Sequence, residues 1–309
     1  MEYIILVIAL VAIALGANYL VDGAVSIAKR FGVSDFVIGA TIVGIGTSMP
    51  ELVVSFMGAL KGNPDVAIGN VVGSNIFNVL GILGLTALFF PVAIDRKNLK
   101  FEILYCIAVS ILLTILSFDG ISRFDGLVLF ICFTGFMWYS IYKDKKSTVT
   151  CEKSPDAVRT RWWIPAAKVI GGLLILVIGS DYFVDSAVLI AQSLGVEEAF
   201  ISLTLIACGT SLPELAASVM AALKKNTQMA IGNIVGSNIF NTTCILGLSS
   251  QVIPLTASGV TLVDYIVMSA ASVLLFVFGF RNRIGRIEGA FMFVCFLAYN
   301  WYLITNQMA

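Results

Sequence analysis

The chain has 309 residues, 59% of them hydrophobic and only 12% charged, whereas a soluble domain carries about a quarter charged residues. Its charges cancel, so composition gives no hint of nucleic-acid binding, and the shortage of charge says that lipid faces most of the surface. Histidine is absent, which removes the commonest general base and transition-metal ligand, and the six cysteines show no CxxC or other metal-ligand spacing.

A membrane helix needs about 20 mostly apolar residues. In chain order that pattern predicts ten spans, at roughly 3–28, 36–60, 66–90, 101–117, 124–142, 164–190, 199–223, 229–252, 262–280 and 287–305. The expected class is an all-α membrane protein. The first span begins at Glu2 without a basic leader, so it reads as a structural helix rather than a signal peptide. One polar linker, 143–163, separates a five-helix unit at 1–142 from a second at 164–309.

The two units repeat. A shift of 163 residues lays LVDGA (20–24) on FVDSA (183–187) and TIVGIGTSMPEL (41–52) on TLIACGTSLPEL (204–215). The same shift lays GNVVGSNIFN (69–78) on GNIVGSNIFN (232–241), Pro91 on Pro254, and RFDG (123–126) on RIEG (286–289). One offset held across five separate matches is an internal duplication. Five spans is an odd number, so the second copy enters the membrane from the opposite side and the repeats are inverted. The charges test this independently: with loops assigned alternately to two sides, one side holds seventeen Lys and Arg and the other only Lys61 and Arg123. The positive-inside rule then puts the linker in the cytoplasm and both termini outside.

The chemistry concentrates in G-T-S-M-P-E (46–51) and G-T-S-L-P-E (209–214), each in mid-span. Proline inside a helix frees the carbonyl four residues back, here those of Gly46 and Gly209, and Gly44 loosens the first segment further. A freed carbonyl at bilayer depth is tolerated where it lines a cavity, and carbonyl and carboxylate oxygens are what calcium or sodium takes as ligands. Glu51 and Glu214 follow the prolines, and no Lys or Arg occupies a central span to pair with them. An ionisable residue at that depth is functional by default. Thr47 and Ser48 share the helical face of Glu51, as Thr210 and Ser211 share that of Glu214. In the second motif Ser74 and Asn78 lie one turn apart, as do Ser237 and Asn241; Asn70, Asn75, Asn233 and Asn238 add amides. Gly69, Gly73, Gly232 and Gly236 would let neighbouring helices approach closely. Asn75 and Asn238 read as structural, Thr41 and Thr204 as packing residues, and Asp22 and Asp185 as capping or interfacial groups.

These paired segments resemble the alpha-repeats of the calcium/cation antiporter superfamily, and within it the sodium/calcium exchanger branch and its prokaryotic relatives. The likeness covers nearly the whole chain. It implies a secondary transporter of the cell membrane, not an enzyme, that needs no cofactor and works as a monomer. It implies calcium held by Glu51 and Glu214 with the backbone carbonyls of Thr47 and Thr210. It implies sodium held by the same carboxylates, by Ser48, Ser211, Ser74 and Ser237, and by carbonyls near Gly44 and Ala207, with Asn78 and Asn241 completing the middle. Some relatives carry Asp at the position of Asn241; Asn at both positions argues against potassium co-transport.

Two sodium ions or one calcium ion would cancel the two carboxylates, so only loaded forms would cross cheaply, and coupled exchange follows. A calcium/proton antiporter is the alternative within the class. A cation channel suits inverted halves in one chain less well, and no nucleophile–base constellation supports an intramembrane enzyme.

Overall fold

The computed structural model describes residues 1–95, 99–147, 161, 163–194, 209–256 and 259–307. Among the described residues the protein is all-α but for two short strands. In chain order the helices are α1 Glu2–Phe31, α2 Asp35–Thr47, α3 Met49–Leu60, α4 Pro64–Phe89, α5 Leu104–Leu116 and α6 Arg123–Ser147. After the linker come α7 Trp163–Ser193, α8 Leu212–Leu223, α9 beginning with Thr227–Ile239, α10 Leu262–Gly279 and α11 Arg286–Gln307. Helix α9 continues through a π-helical stretch, Phe240–Ile245, into Leu246–Val252. Strand β1 (Val92–Ala93) pairs antiparallel with β2 (Arg283–Ile284).

Side chains at the turns set these boundaries. Ser34 caps α2 at Val37, Asn63 caps α4 at Val66 and Asn226 caps α9 at Met229, each accepting from a first-turn amide that has no partner inside its helix. Thr261 and Asp264 cap α10 reciprocally. Gly32 closes α1 at φ 64°, the left-handed conformation that glycine adopts without penalty.

Among the described residues six helices are long and apolar enough to cross a membrane, or seven if the bent pair α2 and α3 counts as one span. The protein is a multi-pass membrane protein. Three expected spans fall outside that set, two of them for physical reasons. Helix α5 has 13 residues after a wide π turn at Leu99–Ile103. The 199–223 span is described only from Gly209 onward. In α9, Asn233, Ser237, Asn238, Asn241, Thr242 and Thr243 are all buried polar groups, so this run faces protein rather than lipid. Helix α6 runs past the expected boundary at 142 to Ser147; most of the linker, 148–160 and 162, lies outside the described residues.

Helices α1 and α7 lie against each other along glycines. A Cβ on Gly16 would sit 2.7 Å from the Leu176 amide nitrogen, and one on Gly172 would sit 2.6 Å from that of Leu20. Their outer faces carry exposed Ile4, Val7, Leu15, Ile170 and Leu174, as a helix in lipid requires. Helices α2 and α9 also meet backbone to backbone: Gly232 lies against Phe36 and Gly236 against Ala40.

The 163-residue shift survives folding in a specific way. Val92 pairs with Ile284, and Leu255 pairs with Ile121. Adding 163 to one member of the first pair and subtracting it from the other gives the second pair. A contact repeated with the partners exchanged is what a two-fold relation between two copies produces. The connecting segments that meet are those the alternating assignment puts on one side: Val92 and Ala93 with Arg283 and Ile284 and with Thr227 and Gln228, and Ile121 with Leu255 and Asp65 with Gly259.

Candidate cation site between the two repeats

The first of the two sequence motifs does not fold as a proline-kinked helix. Helices α2 and α3 meet at Ser48 (φ −84°, ψ 12°) with a bend of 48°. Pro50 stands in the first turn of α3, where a missing amide removes no interior bond. Ser211 has the same conformation (φ −92°, ψ 9°), and Pro213 the same place in α8. The prolines therefore begin two helices instead of kinking one, and the Gly46 and Gly209 carbonyls still meet no amide at Pro50 and Pro213, which have none. Each of these starts presents a glutamate, Glu51 or Glu214, in its first turn. A helix N-terminus favours an anion there.

Both carboxylates are fully buried. Ser48 donates to Glu214 Oε1 at 2.7 Å, and Ser211 donates to Glu51 Oε1 at 2.8 Å. Each copy's serine thus holds the other copy's glutamate, and the two acids are drawn to one place. Ser74 joins the cluster through Ser211, Oγ to Oγ at 3.1 Å, and Ser237 donates to the Gly44 carbonyl at 3.2 Å. Thr47 donates toward Asn233 Oδ1 at 3.2 Å, and Thr210 toward Asn70 Oδ1 at 3.5 Å. Ala207 lies outside the described residues. These bonds link Glu51, Glu214, Ser48, Ser211 and Ser74 into one cluster, with Ser237 on the Gly44 carbonyl and Thr47 and Thr210 beside it, and the stretches that carry Asn78 and Asn241 pack against α8 and α3.

The amides fall into three ranks. Asn78 and Asn241 are fully buried on π-helical stretches, Phe77–Leu83 and Phe240–Ile245, that are positional twins. Such wide turns recur at functional sites. The Asn78 amide nitrogen donates to Asn238 Oδ1 at 3.0 Å, and that of Asn241 donates to Asn75 Oδ1 at 3.2 Å. Asn75 and Asn238 are locked in turn, each donating to the other's backbone carbonyl, at 3.4 and 3.1 Å; Asn75 also donates to Thr242 at 2.8 Å. These bonds set which way Asn78 and Asn241 face. Asn70 and Asn233 hold the carboxylates' own backbone: each donates to the carbonyl of its glutamate at 3.2 Å and to Ser55 or Ser218 at 2.9 Å. Ser55, Ser218 and Thr242 escaped the sequence reading. Ser55 and Ser218 each lie four residues after a glutamate, on its own helical face, a spacing that would have found them.

Among the described residues eight buried side-chain oxygens have no hydrogen-bond partner, and four of them belong to the residues expected to hold a cation: Glu51 Oε2, Glu214 Oε2, Asn78 Oδ1 and Asn241 Oδ1. Buried polar atoms are almost always paired, and an orphan calls for a reason. Among the described residues no cluster of three or more Asp, Glu, Cys or His side chains occurs, so the negative charge is confined to two carboxylates and the other donors are neutral. Hard cations bind such an all-oxygen set. Cys106, Cys132, Cys244 and Cys295 are free thiols, and none contributes to this centre. Asp22 caps no helix end; it sits within α1, half exposed, and pairs with Lys224 at 2.5 Å, which leaves the interfacial reading in place.

The sequence matches the family model described as sodium/calcium exchanger protein over residues 1–142 and 165–305. It is 32% identical to a sodium/calcium exchanger of Methanosarcina acetivorans, covering 96% of this chain and 97% of the relative. It is 35% identical to a putative antiporter of Alkalimonas amylolytica, covering 98% of both. The fold is similar to that of the sodium-calcium exchanger NCX_Mj soaked with zero Na+ and Ca2+, with a TM-score of 0.87, 32% identity and 98% of each chain covered.

Proposed function

The chain belongs to the sodium/calcium exchanger family, a family of membrane cation antiporters rather than enzymes, and on that premise we propose that it exchanges calcium for sodium at the centre between its two repeats. The observation that carries this reading is the set of four orphaned oxygens, two carboxylate and two amide, one of each kind from each repeat. One calcium ion or two sodium ions neutralise the two carboxylates. A charge left unpaired in a low-dielectric interior is costly, so the loaded site can be sealed from water and the empty site cannot. Exchange instead of leakage follows from that difference. The loading set is Glu51, Glu214, Ser48, Ser211, Ser74, Ser237, Asn78 and Asn241, with backbone carbonyls of Thr47, Thr210, Gly44 and Ala207. A third sodium would leave one net positive charge and make transport electrogenic.

In this reading the chain spans the cell membrane ten times as two inverted five-helix repeats, divided at the 143–163 linker. The termini are outside, the linker is cytoplasmic, and a monomer suffices because one chain supplies both halves of the site. The same-sided meeting of the connecting segments and the exchanged pairs Val92–Ile284 and Leu255–Ile121 support that topology. Alternating access is a sliding of α1 and α7, packed on each other along glycines, past the bundle that carries the site. The test is calcium uptake into proteoliposomes driven by an outward sodium gradient with pH clamped on both sides. Uptake that responds to a pH gradient and ignores sodium would replace sodium with protons as the driving ion. Calcium accumulation against its gradient excludes a channel.

A further inference from the structure

The duplication supplies an internal control: where one copy departs from the other, the shared fold does not demand the residue. The α8–α9 turn reads K-K-N-T at 224–227, and its twin between α3 and α4 reads K-G-N-P at 61–64. Both turns are built alike, with Asn63 and Asn226 capping the following helix. Their second residues are both left-handed, Gly62 at φ 72° and Lys225 at φ 59°. Glycine takes that conformation freely, whereas a lysine does so against steric resistance. Lys225 is thus kept where the backbone favours its twin's residue.

Lys225 opens onto a cavity of about 610 Å³ that is also lined by Lys29 of α1, Lys168 of α7, Lys224, Asp22 and Asp35. Lys224 is committed to Asp22 and to the Asn18 carbonyl, at 2.5 and 3.1 Å. Lys168 and Lys225 are exposed and make no ion pair among the described residues, whereas Lys29 faces the Asp35 carboxylate across the cavity. The twins of Lys29, Lys168 and Lys225 are Gln192, Ile5 and Gly62, none of them basic. Sidedness of charge alone accounts for basic residues somewhere in these segments. It does not account for three of them converging on one cavity from three elements, one on a disfavoured backbone. Trp163, half exposed at the start of α7, lies five residues before Lys168. Such aromatics sit at the membrane–water boundary, so Lys168 stands about 7.5 Å along the helix from it, within headgroup depth.

We propose that this cavity binds a phosphate-bearing anion, with Lys168, Lys29 and Lys225 as its cationic contacts. The anion bridges the α1–α7 pair to the α8–α9 turn and so ties together the two parts that the exchange reading has slide. Binding itself does not depend on which cations are carried. Basic pockets between membrane helices on the cytoplasmic side suit anionic lipid headgroups, and free phosphate offers the same chemistry.

The test is the melting temperature of the purified full chain in neutral detergent, titrated separately with dioleoylphosphatidylglycerol, dioleoylphosphatidylcholine and inorganic phosphate. The expected result is a saturable rise with phosphatidylglycerol and none with phosphatidylcholine. The concentration for half-effect should rise about tenfold in Lys225→Gly and again in Lys168→Gln, the size of one lost charged contact. Without additive, Lys225→Gly should melt at or above the wild-type temperature, which separates lost binding from lost folding. A response to inorganic phosphate that depends on the same lysines assigns a soluble anion; a response to phosphatidylglycerol alone assigns the headgroup. Equal responses of wild type and both variants to every additive, or no response at all, overturn the proposal.

Discussion

Replacing Glu51 by Gln removes one of the two buried charges and keeps the shape of the side chain. The amide retains an oxygen for the Ser211 hydroxyl, which donates to Glu51 Oε1 at 2.8 Å. What changes is the orphaned Oε2 position, which becomes an NH2 facing the centre, or forces Ser211 to turn if the amide flips. A unit charge about 4 Å away at an effective dielectric of about 20 is worth about 4 kcal/mol, or nearly three decades of affinity for a monovalent ion. For a divalent ion the loss is about twice that in free energy. Sodium binding should weaken about a thousandfold, and calcium binding should disappear at millimolar calcium. The effect on stability has the opposite sign. With no cation present, ionising both Glu51 and Glu214 would set two like charges in a buried centre, and neutralising one by substitution removes that repulsion and desolvation cost. Glu51→Gln should therefore melt higher than wild type in cation-free detergent while losing the rise that calcium gives wild type. Radioactive calcium flux in proteoliposomes and melting curves with and without calcium read the two effects separately. Exchange within tenfold of wild type, or a lower melting temperature without cation, would refute the placement of this charge at the ion.

Asn75→Leu should strand the Asn241 amide nitrogen, which donates to Asn75 Oδ1, and release Asn241 to turn its nitrogen toward the cation; the loss is about 1–3 kcal/mol, read as a KM for calcium about tenfold or more higher with the maximal rate less affected. Gly172→Val should open the α1–α7 seam, because a Cβ there already lies 2.6 Å from a backbone nitrogen, at about 1–3 kcal/mol of overpacking. Gly171→Val is the matched control, since a Cβ there meets nothing within 4 Å, and its melting temperature should barely move. Asp22→Asn breaks the pair with Lys224, whose partners have 45% and 27% of their side-chain surface exposed, so its stability effect should stay below about 1 kcal/mol, measured by thermal melting in detergent.

The identities of the central groups were legible in the sequence because the duplication printed them twice. Glu51 and Glu214, Ser48 and Ser211, Asn78 and Asn241 all appear as pairs at one offset, and apolar flanks left them no bulk water. What the sequence did not carry was direction. Proline in an apolar run suggests a kinked helix; only the φ and ψ at Ser48 and Ser211 show two helices starting afresh, each with an acid in its first turn. Nor did spacing reveal that Ser48 bonds Glu214 rather than the glutamate on its own face. Spacing along a helix reports neighbours within one copy, and these bonds cross between copies. Helix ends were off by a turn or so for a similar reason. Hydropathy marks where lipid begins, whereas caps such as Ser34, Asn63 and Asn226 mark where the backbone stops needing its own carbonyls. The partner of Asp22 lies 202 residues away, so no local spacing could show it.

The crosswise seating of serines and carboxylates has a consequence for how such a chain tolerates change. Damage at Ser211 is felt first at Glu51, not at its positional counterpart Ser48 or its neighbour Glu214. Compensating substitutions should therefore appear on the far half of the molecule, paired by bond instead of by register. Neither half can drift on its own, and each serves as the template against which the other is kept.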